Sequence, residues 1–184
     1  AGSNALTGVV PVIVNNSTIL AEVENGTKTS HSRITAGDSI GIIAAADSDI
    51  YIIAGGLAAA GANAAGASIN TAILKNDIQA HAGTWTELMT TATPAVQTSS
   101  NGIRIPNRNE RRRGIIIFAN GNEDVVMVSV SAGAGGSNAI TGVINTLVVR
   151  NTVKATSREH VTISVKKGCR FVHKRYRPSP RSLY

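Results

Sequence analysis

Residues 50–74, IYIIAGGLAAAGANAAGASINTAIL, form a run of twenty-five residues without a charged side chain. As a helix, at about 1.5 Å per residue, this run would be long enough to cross the roughly 30 Å hydrocarbon core of a bilayer. A membrane span is therefore one interpretation of the segment, and a pair of uncharged β-strands is the other. The choice between helix and strand decides the fold of the whole chain.

A second uncharged segment of the same length, VVMVSVSAGAGGSNAITGVINTLVV, follows 75 residues later at 125–149. The two segments align without a gap, and so do their flanks, because Asn76 matches Asn151 at the same offset. A third, incomplete copy opens the chain, since GSNALTGVVPVIV at 2–14 nearly repeats GSNAITGVINTLV at 136–148. The sequence therefore contains an internal repeat, which has to be interpreted before any single motif.

The aligned copies favour strands. In the best-matched part of each copy, every second residue is β-branched: Val10, Val12 and Val14, then Ile69, Thr71 and Ile73, then Ile144, Thr146 and Val148. Such residues lose rotamer freedom in a helix and pack well on a pleated sheet, and a period of two is typical of strands. We therefore predict an all-β chain without a transmembrane helix. Gly55-Gly56 and the glycines of 133–136 are predicted to lie at turns between strands.

Repeated short strands with small apolar residues predict a β-solenoid, a parallel β-helix-like array in which each coil pairs its strands with the next. Residues 1–81 would form a scaffold made of a truncated first copy and the second copy, and 114–166 would form the third copy. Residues 82–113 would be an inserted loop, and 167–184 a basic, unstructured tail. A meander of hairpins stays open as an alternative arrangement of the same strands.

Asparagines recur at equivalent positions of the copies. One candidate set is Asn4, Asn63 and Asn138, and another is Asn16, Asn76 and Asn151. Stacked asparagines can hydrogen-bond amide to amide and so stabilise a turn. Alternatively, each asparagine simply adopts a tight turn conformation without any ladder, and the sequence leaves both interpretations open.

The net charge of +7 suggests a nucleic-acid partner until its location is considered. Residues 1–165 contain eleven basic and eleven acidic residues, so the excess lies entirely in 166–184. No folded nucleic-acid-binding motif accompanies that basic segment, and we expect no specific nucleic-acid partner. The single cysteine, Cys169, excludes an internal disulfide framework and cysteine-based zinc clusters.

A search for catalytic chemistry finds almost nothing. The four histidines have no partner at metal-ligand spacing, and neither a nucleophile motif nor a P-loop is present. The acidic groups Asp47-Ser48-Asp49 and Glu123-Asp124 are interpreted as solvated strand-entry turns rather than weak cation sites. We therefore expect no enzymatic activity, no cofactor and no metal.

The predicted insertion is the non-repeated element of the array. It contains the only tryptophan, Trp85, and five arginines, Arg104, Arg108, Arg111, Arg112 and Arg113. Loops on a rigid scaffold are where recognition usually lies, and arginines can bind anionic glycans through charge-assisted hydrogen bonds. We predict a contact surface here for a cell-surface glycan or protein. A solvated loop, with Glu110 compensating part of the charge, is the alternative.

The succession ITAGDSIGIIAAADSDIYIIAGGLAAAGANAAGASINTAILKNDIQAHAG, at 34–83, resembles the repeats of large filamentous adhesins of Gram-negative bacteria. These are the filamentous haemagglutinin-like and leukotoxin-type adhesins. The resemblance covers roughly 1–81 and 114–166, through the segments 35–49, 53–58 and 67–80 and their later equivalents. The insertion and the basic tail have no counterpart in that pattern.

The resemblance implies a structural stalk segment that presents loops for attachment to a host or bacterial cell. It also implies virulence-associated export by two-partner secretion or as an autotransporter passenger, a secreted or outer-membrane-associated location, and packing against neighbouring repeats of a longer parent chain. The alternative function is a membrane-active or toxin-associated module that uses the uncharged stretches.

Overall fold

The computed structural model describes residues 2–91, 95–97 and 102–165. These residues form eleven strands and no helix, which confirms the all-β prediction. The first copy contains β1 (Asn4–Val9), β2 (Val12–Val23) and β3 (Ser32–Ala36), and the second contains β4 (Ser39–Ala60), β5 (Asn63–Ala82) and β6 (Thr86–Thr90). Two short strands follow, β7 (Ala95–Gln97) and β8 (Ile103–Arg104), and the third copy contains β9 (Arg111–Gly135), β10 (Asn138–Ser157) and β11 (Thr162–Val165).

Equivalent strands of successive copies pair with one another. One sheet has the order β1-β5-β10, with β2 also on β5, and a second has the order β11-β6-β3. In the third sheet β4 pairs with β9, which also carries β7 and β8. The strand β1 is parallel to β5, and β3 and β11 are both parallel to β6. The short, non-repeated strands β7 and β8 run antiparallel to β9.

The predicted insertion begins later than residue 82. Residues Thr86–Thr90 pair with Ser32–Ala36 on one side and with Thr162–Val165 on the other, so β6 belongs to the repeated scaffold. Its sequence, TELMT, shares little with the equivalent strands except one apolar position. That position is Ile34 in β3, Leu88 in β6 and Ile163 in β11. Leu88 is fully buried, and Thr86 and Thr90 on the same face of the strand are also buried.

The long strands differ from the predicted short ones. The strands β4, β5, β9 and β10 contain 22, 20, 25 and 20 residues. The segments Asp47-Ser48-Asp49 and Glu123-Asp124, predicted as turns, lie inside β4 and β9, and Gly55-Gly56 also lies inside β4. Extended backbone accepts an acidic residue wherever its side chain points away from the interior. Because alternate burial continues through these segments, they do not interrupt the strands.

The chain divides into two compact units. The first comprises the described residues of Ala1–Ser17, Asp47–Asn76 and Asn122–Asn151, and it contains both uncharged segments. Its interior contains many small buried side chains, including Ala54, Ala58, Ala64, Ser68 and Ala72, together with the larger Ile52 and Leu74. A Cβ added at Gly56 would lie only 2.8 Å from the carbonyl oxygen of Ala67 on the facing strand. Glycine is therefore required at Gly56 for close approach of two backbones, and not for the turn that the sequence suggested.

The second unit comprises the described residues of Thr18–Ala46, Asp77–Gly121 and Thr152–Tyr184. It has a conventional apolar core, formed by Ile40, Ile42, Ala44, Ile78, Ala80, Ala82 and Leu88. The buried side chain of His81 lies at the edge of this core, with Nε2 2.7 Å from Glu22 Oε2. That distance allows an ion pair, but the ring nitrogen is not aligned for a hydrogen bond.

The residues that raised the question of a membrane span lie in strands. Residues 50–74 fall almost entirely in β4 and β5. Accordingly, the described part of the chain contains no helix of the length and apolarity needed to cross a membrane. Large apolar side chains on the outer face of β4, Tyr51, Ile53 and Leu57, are nevertheless exposed.

Replacing Gly56 with alanine should destabilise the protein, and replacing its neighbour Gly55 should not. The added methyl group at Gly56 meets the Ala67 carbonyl at 2.8 Å, and overpacking of this kind costs about 1–3 kcal/mol. At Gly55 the nearest atom would be 3.8 Å away, so Gly55→Ala should be neutral or stabilise by up to about 1 kcal/mol. Urea unfolding of both variants measures the difference. Equal stability of the two would contradict the close approach of β4 and β5.

Candidate functional site

Trp85 lies in the turn between β5 and β6 rather than in a free loop. Its indole ring stacks on the imidazole of His160, with ring centroids 3.8 Å apart and planes inclined by 9°. On its other side it stacks on His31, at 5.7 Å and 29°. If the register of β6 with β3 and with β11 is extended towards the N-terminus, Trp85 lies opposite both His31 and His160. The three residues therefore occupy equivalent positions in the three copies.

Backbone hydrogen bonds hold the three rings at this position. The Trp85 amide donates to the carbonyl oxygen of Glu159 at 3.3 Å, and its carbonyl oxygen accepts from the amide of Ser32 at 3.1 Å. Trp85 and His160 both adopt a left-handed backbone, with φ of 56° and 56°, which non-glycine residues adopt only rarely. Trp85 is half-buried and stacks on both histidine rings, so less of its indole ring is available to a partner than in a free loop.

A second polar group surrounds Glu87 on β6. One carboxylate oxygen lies 2.7 Å from His31 Nδ1, and the other accepts a hydrogen bond from Arg33 Nε at 2.7 Å. The hydrogen bond with His31, and secondly that with Arg33, holds the pKa of the Glu87 carboxyl below its ordinary value. Lys28 lines the same open depression. With two permanent cations and one carboxylate, this depression could attract an anion.

The predicted arginine cluster is partly neutralised by acidic residues. Arg112 donates to both oxygens of Glu110, at 3.1 and 3.2 Å, and Arg108 donates to the same carboxylate at 3.3 Å. The hydrogen bond from Arg112, followed by that from Arg108, lowers the pKa of Glu110 despite the opposing effect of its partial burial. Arg113 donates through Nε to Asp38 at 2.6 Å.

The remaining two arginines lie opposite each other in the antiparallel pair of β8 and β9. Arg104 is the register partner of Arg111, and Arg111 Nη1 donates to the carbonyl oxygen of Gly102 at 2.8 Å. The five arginines thus lie around one short hairpin with two carboxylates, which leaves an excess of positive charge. Trp85 stacks with histidines instead, so its ring is not part of this arginine group.

The first asparagine set forms direct amide-to-amide hydrogen bonds. Asn63 Nδ2 donates to Asn4 Oδ1 at 2.8 Å, and Asn138 Nδ2 donates to Asn63 Oδ1 at 2.9 Å. These residues begin β1, β5 and β10, immediately after the turns that precede them. All three side chains are exposed, so the ladder lies on the surface of the first unit.

The second asparagine set is arranged differently. Asn76 is buried, and its Nδ2 donates to Glu123. Asn151 Nδ2 donates to the other oxygen of the same carboxylate at 2.5 Å. Glu123 therefore bridges these two amides. Asn16 takes no part in this bridge. Its side chain lies on the exposed face of β2, whereas the side chain of Asn76 in β5 is buried.

Sequence reasoning missed the stacked rings and the Glu87 group. The signal for the first was available, since Trp85 and His160 are separated by the same 75 residues as the repeated segments. Assigning residues 82–113 to an insertion concealed that equivalence. The contact between Glu87 and Arg33 has no comparable signal, because it requires the register of β3 on β6.

No protein-family model matches this chain, and neither a curated protein nor a solved structure matches it. Within residues 2–91, 95–97 and 102–165, no group of three or more His, Cys, Asp or Glu side chains is placed to hold a metal ion. The described residues thus bring charged side chains and stacked aromatic rings together on an all-β scaffold.

The Glu87 group should make stability depend on pH in the acid range. Because the pKa of Glu87 is lower in the folded protein, the ionised carboxylate stabilises the fold above the ordinary pKa of glutamate, about 4.3. This stabilisation is lost as the pH falls through the lower folded-state pKa. Glu87→Gln should therefore flatten the decline of the thermal midpoint below about pH 4. Glu24→Gln, at an exposed residue, is the matched control and should leave the decline unchanged. An identical decline in the Glu87 variant would contradict the assignment.

Proposed function

We propose that this protein is a non-enzymatic structural segment of a bacterial surface adhesin, in which the paired strands are the coils of a β-solenoid stalk. The observation that carries the proposal is the parallel, residue-on-residue pairing of β1 with β5 and of β3 and β11 with β6. Each added copy would continue the same backbone hydrogen bonds in the same direction, and that is how a chain extends a stiff rod.

The distribution of residues supports a scaffold role. The same kind of side chain recurs from copy to copy at two positions. One position carries asparagine, in the Asn4–Asn63–Asn138 ladder, and the other carries an aromatic ring, in the His31–Trp85–His160 stack. Repeated faces of this kind distinguish poorly between partners, so they suit a stalk better than a receptor site. The resemblance to filamentous adhesin repeats favours the same role, together with export and a secreted or outer-membrane-associated location.

The contact surface proposed for this stalk is the arginine segment, residues 102–113. It carries five arginines and one glutamate, and it lies outside the repeated strands for most of its length. Guanidinium groups bind carboxylate and sulfate oxygens through paired hydrogen bonds. An anionic glycan on a host or bacterial cell is therefore the partner that this segment fits best. Trp85 stacks on His31 and His160 and not on the arginines, so this proposal depends on the arginine segment alone.

Removing two arginines should test the glycan contact. We expect Arg104→Gln/Arg108→Gln to bind a heparin oligosaccharide at least about tenfold more weakly, a loss of about 1.4 kcal/mol. The matched control, Arg150→Gln/Arg158→Gln, removes the same charge from exposed positions elsewhere and should change the affinity less than about twofold. Surface plasmon resonance at about 0.15 M salt, where exposed charges are screened beyond about 8 Å, measures both.

Equal weakening of both variants would mean that net charge alone attracts the glycan and that the arginine segment is not a contact surface. The stalk proposal is tested separately by vesicle flotation, because the exposed Tyr51, Ile53 and Leu57 give the membrane-active alternative its physical basis. The full chain should stay in the bottom fraction with neutral vesicles. Stable flotation would favour the membrane-active alternative.

A further inference from the structure

Glu110 lies between two arginines of the arginine segment. Residues 108, 110 and 112 alternate along the chain, and Arg108 and Arg112 both donate to the Glu110 carboxylate. In the described part of the chain, every side-chain hydrogen bond of that carboxylate comes from one of these two arginines. Glu110 therefore occupies the position at which two guanidinium groups present their donors to an anion.

The Glu110 carboxylate matches these donors only in part. Its Oε1 accepts from Arg108 Nη1 at 3.3 Å and from Arg112 Nε and Nη2 at 3.3 and 3.1 Å, whereas Oε2 accepts from Arg112 Nη2 alone at 3.2 Å. Charge-assisted hydrogen bonds of this kind are usually about 2.7–2.9 Å long, so all four contacts are long. Three nitrogen atoms share one carboxylate oxygen. A sulfate group, which has a third terminal oxygen, would relieve that crowding.

The backbone holds both arginines in place without help from the Glu110 carboxylate. Arg112 lies in β9, opposite Ile103 of β8. The Arg108 amide donates to the Ile105 carbonyl oxygen at 3.2 Å, and the Ile105 amide donates to the Glu110 carbonyl oxygen at 3.2 Å. The side chain of Ile105 is buried and fixes this loop in the interior. The loop therefore keeps its position when the Glu110 carboxylate leaves the arginines.

The neighbouring ion pair between Asp38 and Arg113 has a different role. It joins residues 75 positions apart, so it connects the arginine segment to the start of β4 in the second copy. Glu110 instead lies only two positions from Arg108 and from Arg112, and all three side chains are partly exposed. Ion pairs at exposed positions are weak. Glu110 is therefore the carboxylate of this segment that a ligand displaces most easily.

We propose that Arg108 and Arg112 form a sulfate-binding position, which Glu110 fills in the free protein and which a sulfate group of the glycan enters by displacing Glu110. The displaced carboxylate becomes hydrated, and the guanidinium donors are distributed over the three sulfate oxygens. Glu110 is thus an internal competitor that lowers the affinity of the arginine segment for its ligand. This inference rests on the proposed glycan contact, because it assigns a chemical group of the glycan to two of the arginines.

Glu110→Gln tests the competition. A neutral amide binds guanidinium groups more weakly than a carboxylate does, so surface plasmon resonance should show about threefold tighter binding of a heparin oligosaccharide. The matched control, Glu24→Gln, removes the same charge from an exposed residue and should change the affinity less than about 1.5-fold. Arg108→Gln should weaken binding about twofold more in the Glu110→Gln background than in the unchanged protein, because Glu110 no longer engages Arg108 there.

Inorganic sulfate gives a second readout that does not require a glycan. With about 20 mM sodium sulfate, compared with sodium chloride of equal ionic strength, the thermal midpoint of Glu110→Gln should rise about 1 °C more than that of the unchanged protein. The double variant Arg108→Gln/Glu110→Gln should lose this additional rise, because the sulfate position then lacks one of its two guanidinium groups.

The possible failures are distinguishable. An equal sulfate response of Glu110→Gln and the unchanged protein, or an equal effect of Arg108→Gln in both backgrounds, would overturn the inference and leave glycan binding by the other arginines intact. Equal tightening by Glu24→Gln and Glu110→Gln would also overturn it, since net charge alone would then explain the gain. Failure of both the unchanged protein and Glu110→Gln to bind heparin would contradict the proposed glycan contact, and with it the glycan as the source of the sulfate group.

Discussion

Parallel pairing between strands one repeat apart is the interaction on which the rest of this structure depends. Because β1 and β10 both pair with β5, Asn63 at the start of β5 lies next to its equivalents Asn4 and Asn138 in the other copies. A residue type that stacks well is therefore favourable in all three copies, and one that stacks poorly is unfavourable in all three. This constraint accounts for the recurrence of Asn at 4, 63 and 138 and of aromatic rings at 31, 85 and 160.

The two units satisfy this constraint with different interiors. In the first, Gly56 and small residues such as Ala54 and Ala64 allow facing backbones to approach closely, and this explains the uncharged, glycine-rich stretches. In the second, Ile40, Ile78 and other aliphatic residues form a contiguous apolar core. The proposed glycan contact, the arginine segment, lies in the second unit.

The period of two, the repeat offset and the equivalence of Asn4, Asn63 and Asn138 could all be predicted from sequence, because each leaves a regular pattern of residue types. The strand boundaries could not, since Gly55-Gly56 and Asp47-Ser48-Asp49 have the composition of turns and yet continue β4. The strand β6 was hidden for the opposite reason, because only at Leu88 are the paired residues of β3, β6 and β11 all apolar, and two other buried residues of β6, Thr86 and Thr90, are polar. The partners of the arginines depend on register, and local composition does not encode register.

The most direct test of the parallel register is a disulfide between residues that face each other across β1 and β5. Leu6 lies opposite Ala65 and Thr7 lies opposite Gly66. Strands about 4.8 Å apart fall within the Cα separation of about 4.4–6.8 Å that a disulfide accepts. In a background with Cys169 replaced by serine, and at low protein concentration, Leu6→Cys/Ala65→Cys should oxidise to an intrachain disulfide, whereas Leu6→Cys/Gly66→Cys, whose side chains point to opposite faces, should stay reduced. Preferential oxidation of the second pair would contradict the residue-on-residue pairing of the copies.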